Sequence, residues 1–310
     1  MSVEEELACL SPTKGTLLTI GVFDGVHLGH KYLLSELVEQ ARLKGLISGV
    51  VTFKQHPQRL FEPQANLKFL TSLPQKIKLL RDEGVEFVIT LTFTLELAQI
   101  GAPQFISLLQ KYLKMRGLVI GPDFALGRNR EGNIDTLRIL EQGMNFSLTV
   151  LPLVTKNNEV ISSTTIRNAL AKGAMGEVHN LLGRYFSIEG RVIAGSGRGI
   201  ELGFPTANLD IDPAQAIPAD GIYATRAYID DQSLPSVTNI GKRPTFGETE
   251  QAIEVHILDY KGELYRCKLK IDIIERLRGE QKFDTADKLV EQIKKDVRGA
   301  RAILDRSSKD

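Results

Sequence analysis

One stretch constrains the fold more than any other: residues 19–30, which read TIGVFDGVHLGH. Strand-forming residues end there in glycines, and His27 and His30 flank Gly29. Apolar side chains recur at helical spacing over residues 31–42, so the pattern predicts a strand, a tight turn and then a helix. The first N–H groups of a helix are unpaired and partly positive, which makes such a turn a common seat for phosphate.

The residue types in this turn suit chemistry at a phosphorus centre. Gly29 lets a phosphate approach the backbone with no Cβ in the way, and the two imidazoles can donate hydrogen bonds to charge that develops during transfer. The alternative is that His27 and His30 are ordinary residues at a helix start, the commoner case for an isolated His-x-x-His pair. The strand before the motif and the helix after it favour the functional interpretation.

The composition excludes several protein classes. The chain has 310 residues, enough for about two domains, with 39 basic and 38 acidic side chains and a net charge of +1. This balance predicts neither a nucleic-acid nor a membrane partner, and no apolar run approaches the ~20 residues of a membrane span. Cys9 and Cys267 are far apart in the sequence, which argues against a disulfide framework or a zinc cluster. We therefore expect a cytoplasmic protein.

Residues 17–153 alternate strand-like and helix-like segments, which predicts an α/β fold with a parallel sheet and helices on both faces. Ligands of such sheets bind at the carboxyl ends of the strands. His56 and Asp123 follow two of the predicted strands and should join the histidine turn at that edge. The predicted strands are residues 17–20, 49–53, 87–93, 117–120 and 148–153, and the predicted helices are 31–42, 73–83, 103–114 and 134–142.

Consecutive hydroxyl residues at 161–167 (ISSTTIR) lead into another predicted helix. At least one of them should cap that helix. Arg167 lies one turn further on, where its planar donors could clamp the phosphates of a nucleotide and the departing pyrophosphate. We interpret Ser163, Thr164 and Arg167 as a second nucleotide-binding segment.

The pattern changes from helical spacing to alternation after residues 173–176. Short strands separated by Gly, Pro and Asp predict an antiparallel barrel or sandwich, and helical spacing over 284–304 predicts a helix that closes it. The expected domains are therefore residues 1–183 and 184–310. The predicted strands of the second domain are residues 185–193, 222–229, 236–240, 253–258 and 264–274.

Three glycines, Gly195, Gly197 and Gly199, precede the string GFPTAN. They could simply form a mobile hairpin loop, because neither a Rossmann fingerprint nor a Walker A lysine accompanies them. Thr206 and Asn208 are two residues apart and would share one face of an extended strand. Their oxygens suit Mg²⁺ beside nucleotide phosphates, and the N–H groups of the glycine loop would cover those phosphates.

Glu254 lies in an apolar strand run. A carboxylate there usually faces solvent, and the alternative is an inward general base; the strand alone favours solvation. His256 shares the face of Glu254 by alternation and has no assigned role. His179 is expected on the surface of a helix.

Six strings, in the same order, resemble those of the bacterial bifunctional riboflavin kinase/FAD synthetases, over about residues 15–304. The first carries the His-x-Gly-His signature of the nucleotidyltransferase superfamily, and the third contains the Pro-Thr-Ala-Asn motif of riboflavin kinases. The six strings are residues 21–30, 161–167, 195–208, 239–246, 253–256 and 277–283.

The resemblance implies a two-step enzyme with a Rossmann-like nucleotidyltransferase domain and a β-barrel kinase domain. The barrel would transfer the γ-phosphoryl of ATP to riboflavin with Glu254 as base, which reverses the preference for a solvated carboxylate. The α/β domain would transfer AMP from a second ATP to FMN, giving FAD and pyrophosphate, with His27, His30 and Arg167 as catalytic groups. Both steps should need Mg²⁺.

The same resemblance implies a wider set of contacts with nucleotide and flavin. Thr206 and Asn208 are the expected metal ligands. The residues implied in nucleotide or flavin binding are Gly21, Phe23, Asp24, Gly29, His56, Asp123, Ser163, Thr164, Gly195, Gly197, Gly199, Thr206, Asn208, Asn239, Arg278, Glu280 and Phe283.

One departure from the family pattern lies before His56, where Lys54 and Gln55 replace the usual acidic residue and proline. Two other functions stay open. A transferase of the same fold could use another adenylyl acceptor, such as a pantetheine or nicotinamide nucleotide, although the barrel motif disfavours it. A flavin sensor without turnover is the other, and retention of the histidine pair and Glu254 argues against it.

Overall fold

The computed structural model describes residues 2–62, 64, 67–156, 159–195, 197–230, 232–244 and 249–307, without the side chains of residues 243, 244, 249 and 250. Contacts divide the chain into two compact units, Met1–Ser163 and Thr164–Asp310. Residues 164–183 thus group with the second unit. The division at residues 183 and 184, expected from the change in pattern, stays a prediction.

A parallel sheet forms the centre of the first unit. Its strands are β1 (Thr16–Ile20), β2 (Ile47–Phe53), β3 (Phe87–Leu91), β4 (Met115–Ile120) and β5 (Ser147–Val150). Their order is β3-β2-β1-β4-β5, and every pairing is parallel, as predicted. All carboxyl ends therefore lie at one edge. The strand order reverses between β1 and β4, which is where open α/β sheets bind ligands.

Helices cover both faces of this sheet. They are α1 (Val3–Ala8), α2 (Leu28–Leu43), α3 (Gln58–Phe61), α4 (Leu73–Asp82), α5 (Leu95–Gln99), α6 (Ala102–Leu113) and α7 (Ile134–Met144). A 3₁₀ turn spans Arg128–Arg130, and β6 (Thr155–Lys156) pairs with β7 (Glu159–Val160). The predicted elements are present with ends within three residues of those expected, and the prediction missed the short helices α1, α3 and α5.

Successive residues of β1 show why both faces are covered. Leu17 packs in one core with Leu34 of α2 and Leu80 of α4, whereas Leu18 packs in another with Ile106 of α6. Side chains alternate between the two faces of a strand, so each face of the sheet buries its own apolar layer against helices. The burial of five consecutive β1 residues is the direct result.

The second unit contains two helices, a barrel and a closing helix. Its elements are α8 (Ser163–Lys172), which starts at the last residue of the first unit, α9 (Met175–Leu182), β8 (Phe186–Ile193), α10 (Arg198–Glu201), β9 (Ala207–Asp210), β10 (Gly221–Ile229), β11 (Gln232–Pro244), β12 (Thr249–Ile257), β13 (Lys268–Arg278) and α11 (Ala286–Arg306). The six strands form a closed barrel of order β10-β11-β12-β9-β8-β13, with antiparallel pairing throughout. The barrel, rather than the sandwich, is confirmed.

Two features of the barrel differ from the sequence prediction. The strand expected over residues 264–274 starts at Lys268, because Asp259 and Arg266 have φ values of 61° and 67° and turn the chain. The prediction also missed β9. The closing helix is confirmed: Ala300 and Leu304 of α11 pack in one cluster with Ala224 of β10.

Cys9 and Cys267 are both free and exposed. Within the described ranges, no helix combines the length and the apolar character that a membrane span requires.

Candidate active sites

The turn between β1 and α2 is buried and strained. Phe23 and Val26 are buried in the core, yet their φ values are 51° and 37°. Positive φ is a genuine outlier for a β-branched residue such as Val26. Strain of this kind persists only where the surroundings hold it, and it is concentrated at functional sites.

The two histidines of the turn are stacked. His27 caps α2, because its Nδ1 accepts a hydrogen bond from the backbone N–H of His30 at 3.3 Å. The ring centroids lie 3.7 Å apart with the planes at 18°, and the Phe23 ring lies 5.0 Å from that of His30. Since Nδ1 of His27 accepts, a neutral His27 carries its proton on Nε2.

His30 is held in its neutral form. Burial lowers the pKa of His30 well below its usual value, and the charges of His27 and Lys76 lower it further. Its Nδ1 is buried and has no hydrogen-bond partner among the described residues. A neutral imidazole with an unsatisfied nitrogen at a helix start can pair with a ligand.

Asp24 and Ser163 hold the turn in place. The Oδ1 of Asp24 accepts hydrogen bonds from the backbone N–H groups of Leu70 and Thr71 at 2.8 and 3.2 Å. The Ser163 hydroxyl donates to the carbonyl of Asp24 at 2.8 Å. Both residues therefore have a structural role, and their contact with a nucleotide stays a prediction.

Lys76 is a buried cation that the sequence analysis missed. Its Nζ donates hydrogen bonds to the carbonyls of Val22 and Phe53 at 3.1 and 2.8 Å. Burial lowers the pKa of Lys76 to about 8, although nearby Asp24 acts in the opposite direction. The available signal was a lysine at a core position of α4, one turn before the fully buried Leu80.

The other predicted residues of this unit surround the turn or follow neighbouring strands at the same edge. A Cβ at Gly21 would lie 3.0 Å from the Phe23 ring, and one at Gly29 would lie 3.2 Å from the His27 ring. His56 follows β2, and its Nδ1 accepts a hydrogen bond from the N–H of Gln58 at 3.2 Å. Asp123 follows β4 and is exposed.

Lys54, the departure from the family pattern, forms an ion pair. Its Nζ lies 2.7 Å from Glu6 of α1 and 3.1 Å from the Thr92 hydroxyl. Burial acts to raise the pKa of Glu6, but hydrogen bonds from Lys54 and Thr92 outweigh it and the pKa is lowered. Lys54 therefore ties the loop after β2 to α1.

Thr164 and Arg167 lie in the second unit, in the first turns of α8. Thr164 is exposed and Arg167 is half-buried, whereas Ile166 and Ala169 are buried. The α8 helix is therefore amphipathic as expected. The clamp role of Arg167 stays a prediction.

A cavity of about 480 Å³ lies in the barrel unit, within the size range of small-molecule sites. It collects most of the residues that the sequence singled out in this half. Those in its lining are Gly195, Gly197, Gly199, Thr206, Asn208, Asn239, Glu254, His256 and Arg278.

Strand pairing places three polar residues of the cavity in a row. Asn208 of β9 is the register partner of Glu254 of β12, and Glu254 is the register partner of Asn239 of β11. The Asn239 amide donates a hydrogen bond to the Glu254 carboxylate at 3.5 Å. Glu254 thus lines the cavity and is half-buried, which is the inward arrangement.

The glycine loop packs tightly on the same strand. A Cβ at Gly195 would collide with the Asn208 amide, and one at Gly199 would lie 2.5 Å from the Phe204 carbonyl and 3.1 Å from the Thr206 hydroxyl. The loop can approach these groups only because it lacks side chains. Ser196 lies outside the described residues, as do Thr245 and Phe246 of the string at 239–246.

His256 has a partner that sequence reasoning did not identify. Its Nδ1 lies 2.7 Å from the carbonyl oxygen of Pro205, and its ring meets the Phe204 ring edge-on at 5.6 Å. A carbonyl can only accept, so Nδ1 carries the proton. His256 therefore fixes the chain immediately before Thr206.

Arg278 is bound to α11. Its guanidinium donates to both carboxylate oxygens of Asp296 at 2.8–3.1 Å and lies 5.8 Å from the Phe283 ring. Asp296 lines the cavity and is buried, although the sequence analysis treated α11 only as a closing helix. Glu280 is exposed, and its carboxylate packs on Gly241.

Fold and sites together define a two-unit transferase that uses nucleotides. One unit has a phosphate-binding turn at the switch point of a parallel sheet, and the other has a barrel cavity with a glycine loop and an inward carboxylate. The FAD synthetase family model matches residues 10–165, and the riboflavin kinase family model matches residues 182–304.

Relatives agree over nearly the whole chain. The bifunctional riboflavin kinase/FMN adenylyltransferase of Escherichia coli (strain K12) is 38% identical over 293 residues, 94% of this chain and 93% of the relative. The enzyme of the same description from Bacillus subtilis (strain 168) is 34% identical over 289 residues, 92% and 91% of the two chains. A crystal structure described as a macrolide-efflux protein from Streptococcus pneumoniae aligns with a TM-score of 0.88 and 29% identity over 95% of this chain and 96% of that one.

The chain belongs to the family of bifunctional riboflavin kinases/FMN adenylyltransferases. It is an enzyme with two ATP-dependent activities, phosphorylation of riboflavin to FMN and adenylylation of FMN to FAD with release of pyrophosphate. This membership decides against another adenylyl acceptor and against a sensor without turnover.

Proposed function

We propose that the barrel cavity phosphorylates riboflavin with Glu254 as the general base. The observation that carries this assignment is the row of Asn208, Glu254 and Asn239 on three adjacent strands lining one cavity. Glu254 takes the proton of the terminal hydroxyl of riboflavin as the hydroxyl oxygen attacks the γ-phosphorus of ATP. The Asn239 amide orients the carboxylate through its hydrogen bond.

Thr206 and Asn208 are the proposed ligands of Mg²⁺ in this cavity. Both side chains offer neutral oxygens of the kind that Mg²⁺ accepts alongside nucleotide phosphates. Among the described residues no group of three or more His, Cys, Asp or Glu side chains is arranged for a metal, and a site completed by substrate phosphates fits such a donor set. When bound, Mg²⁺ neutralises phosphate charge.

The protein groups around these ligands position the nucleotide. Backbone N–H groups of the loop at Gly195, Gly197 and Gly199 cover the phosphates. His256 and Asn208 keep that region in shape through their contacts with Pro205 and the loop. Phosphoryl transfer depends mainly on positioning and charge stabilisation, which suits a site made of backbone and neutral oxygens.

The apolar part of the same cavity is the proposed seat of the flavin ring. Its side chains come from the barrel and from α11, and they are Ile222, Val237, Leu289 and Ile293. Arg278 is held by Asp296 at this wall, so it presents a fixed planar cation beside Phe283. A planar heterocycle fits an apolar cleft with a few fixed polar groups.

In the first unit, the turn after β1 is the proposed site of adenylyl transfer. An oxygen of the FMN phosphate attacks the α-phosphorus of ATP, and the bond from that phosphorus to pyrophosphate breaks. His27 and His30 donate hydrogen bonds to the charge that develops there. The acceptor is already an anion, so no general base is required. Arg167 is proposed to hold the departing pyrophosphate.

We also infer a cytoplasmic enzyme with no nucleic-acid or membrane partner. The balanced charge of +1 and the free cysteines support this inference. Fractionation of cells that express the tagged chain would test it, with recovery in the membrane pellet as the opposing result.

Product analysis tests the whole assignment. Purified protein is incubated with riboflavin and ATP, and the flavins are separated by chromatography. FMN and then FAD should accumulate with Mg²⁺ and stop after chelation. Phosphopantetheine and nicotinamide mononucleotide serve as control acceptors and should remain unmodified. Formation of FMN and FAD at full rate in the presence of chelator would refute the metal assignment.

A further inference from the structure

Lys76 is a buried cation that the proposed mechanism does not use. It lies on α4, and only 6% of its surface is exposed. Its neighbour on the same helix, Lys78, shows the usual arrangement: an exposed ammonium paired with Asp82 at 2.7 Å. A lysine is rarely buried unless something compensates its charge.

The hydrogen bonds of Lys76 join two strand ends. Its Nζ donates to the carbonyl of Val22, in the turn after β1, and to the carbonyl of Phe53, the last residue of β2. The Thr52 hydroxyl also donates to the Val22 carbonyl, at 3.1 Å. Lys76 therefore fastens the nucleotide-binding turn to the end of the neighbouring strand.

Neutral carbonyls do not compensate a full positive charge. Within the part of the chain that the structure describes, no carboxylate forms an ion pair with Lys76. Asp24 is near enough to raise its pKa, but the Oδ1 of Asp24 is bound to the Leu70 and Thr71 amides. The site thus keeps an excess of positive charge under the turn.

This charge also acts on the histidine pair. The groups that face His30 are His27, stacked on it, the Phe23 ring, and Lys76 from α4. A cation below the turn disfavours protonation of His30 and favours an anion above it. Both effects are strong because the group is shielded from water.

We propose that Lys76 is a positioning residue of the adenylyl-transfer site, which fixes the turn and makes it electropositive for a nucleoside triphosphate. The proposal rests on the assignment of His27 and His30 to adenylyl transfer. Lys76 does not touch the nucleotide. It acts through the Val22 backbone and through the field at His30.

Lys76→Met tests the proposal, because methionine has similar length and no charge, and Lys78→Met is the matched control on the same helix. We expect Lys76→Met to lower kcat for FAD formation from supplied FMN by about 10–100-fold, and to raise KM for ATP, through lost preorganisation. Riboflavin phosphorylation should remain at the parent rate and report an intact fold. Lys78→Met should match the parent in both reactions.

A second measurement separates an electrostatic role from simple packing. NMR titration of the His30 imidazole in ATP-free protein should give a higher pKa in Lys76→Met than in the parent, because a neighbouring positive charge has been removed. Lys76→Arg, which keeps the charge, should keep the low pKa of His30 and recover part of kcat. If Lys76→Met does not fold, Lys76→Gln replaces it, since glutamine can still donate to the Val22 carbonyl.

The outcomes distinguish this proposal from the one on which it rests. Should His30→Ala retain FAD formation, the adenylyl-transfer assignment fails. Should His30→Ala be inactive while folded Lys76→Met keeps the parent kcat and an unchanged His30 pKa, only the role of Lys76 is overturned.

Discussion

His27 and His30 lie face to face at the start of α2, with ring centroids 3.7 Å apart, and Nδ1 of His27 accepts the backbone N–H of His30. One residue is thus both helix cap and proposed donor. The second is oriented by the first. Substitutions must therefore separate a capping effect from a catalytic one.

His30→Ala and His27→Ala should each reduce FAD formation from supplied FMN by roughly 10²–10³, the usual cost of removing one preorganised donor. Riboflavin phosphorylation should not change, because its proposed groups lie in the barrel unit. Steady-state assays of the two reactions make the measurement. Asparagine at residue 27 retains a capping acceptor, so recovery of the parent rate in His27→Asn would show that His27 acts only as a cap.

The low pKa of His30 predicts a pH dependence of stability. Burial lowers that pKa well below 6.5, so as pH falls through about 6.5 the unfolded chain takes up a proton that the folded chain excludes. The free energy of unfolding therefore decreases on the acid side. His30→Gln should lose less stability than the parent between pH 7.5 and 5.5. Urea titrations measure this, with amide exchange in β1 identifying the transition of the first unit; equal losses would contradict the prediction.

A fragment that begins at Ser162 should fold and phosphorylate riboflavin without forming FAD. A fragment that begins at Leu182 should be less stable, because it lacks α9, whose Val178 and Leu181 are buried. Thermal unfolding and the kinase assay compare the two. Equal stability would mean that α8 and α9 contribute little to this unit, and FAD formation by either fragment would contradict the division of labour.

Thr206→Val should raise the Mg²⁺ and ATP concentrations that half-saturate riboflavin phosphorylation, because valine keeps the shape of threonine but lacks the oxygen. Thr206→Ser retains the oxygen and is the matched control. Adenylylation of supplied FMN should be unaffected in both variants. An unchanged magnesium titration in Thr206→Val would assign Thr206 a structural role in the chain before β9.

The parallel sheet could be predicted because its strands are buried on both faces and separated by helical spacing. Leu17 and Leu18 pack in different cores, which gives a continuous apolar run that periodicity detects. The barrel was less determined, since alternation along β10 is the same in a sandwich and in a barrel. Closure depends on which edge strands pair, here through β9 to β12 and β8, and that information is not local.

Motifs predicted the candidate sites better than periodicity did. Lys76 and Asp296 were missed because a charged residue within an amphipathic helix is usually solvated, and their burial depends on partners distant in sequence, such as Phe53 and Arg278. The contact of His256 with Pro205 depends on strand register in the same way. The orientation of Glu254 followed from the resemblance, not from its strand.

Glu254→Gln separates a base from a bystander. Glutamine keeps the size and the hydrogen bond with Asn239 but cannot take a proton at neutral pH, so riboflavin phosphorylation should fall by roughly 10²–10⁴. Riboflavin binding, measured by fluorescence quenching, should change little, since the cavity keeps its shape. FAD formation from supplied FMN should continue at the parent rate and thus report correct folding, because an anionic phosphate acceptor needs no base. If phosphorylation instead continued at even a third of the parent rate, Glu254 would not be the base, and the hydroxyl would have to be activated by the metal alone.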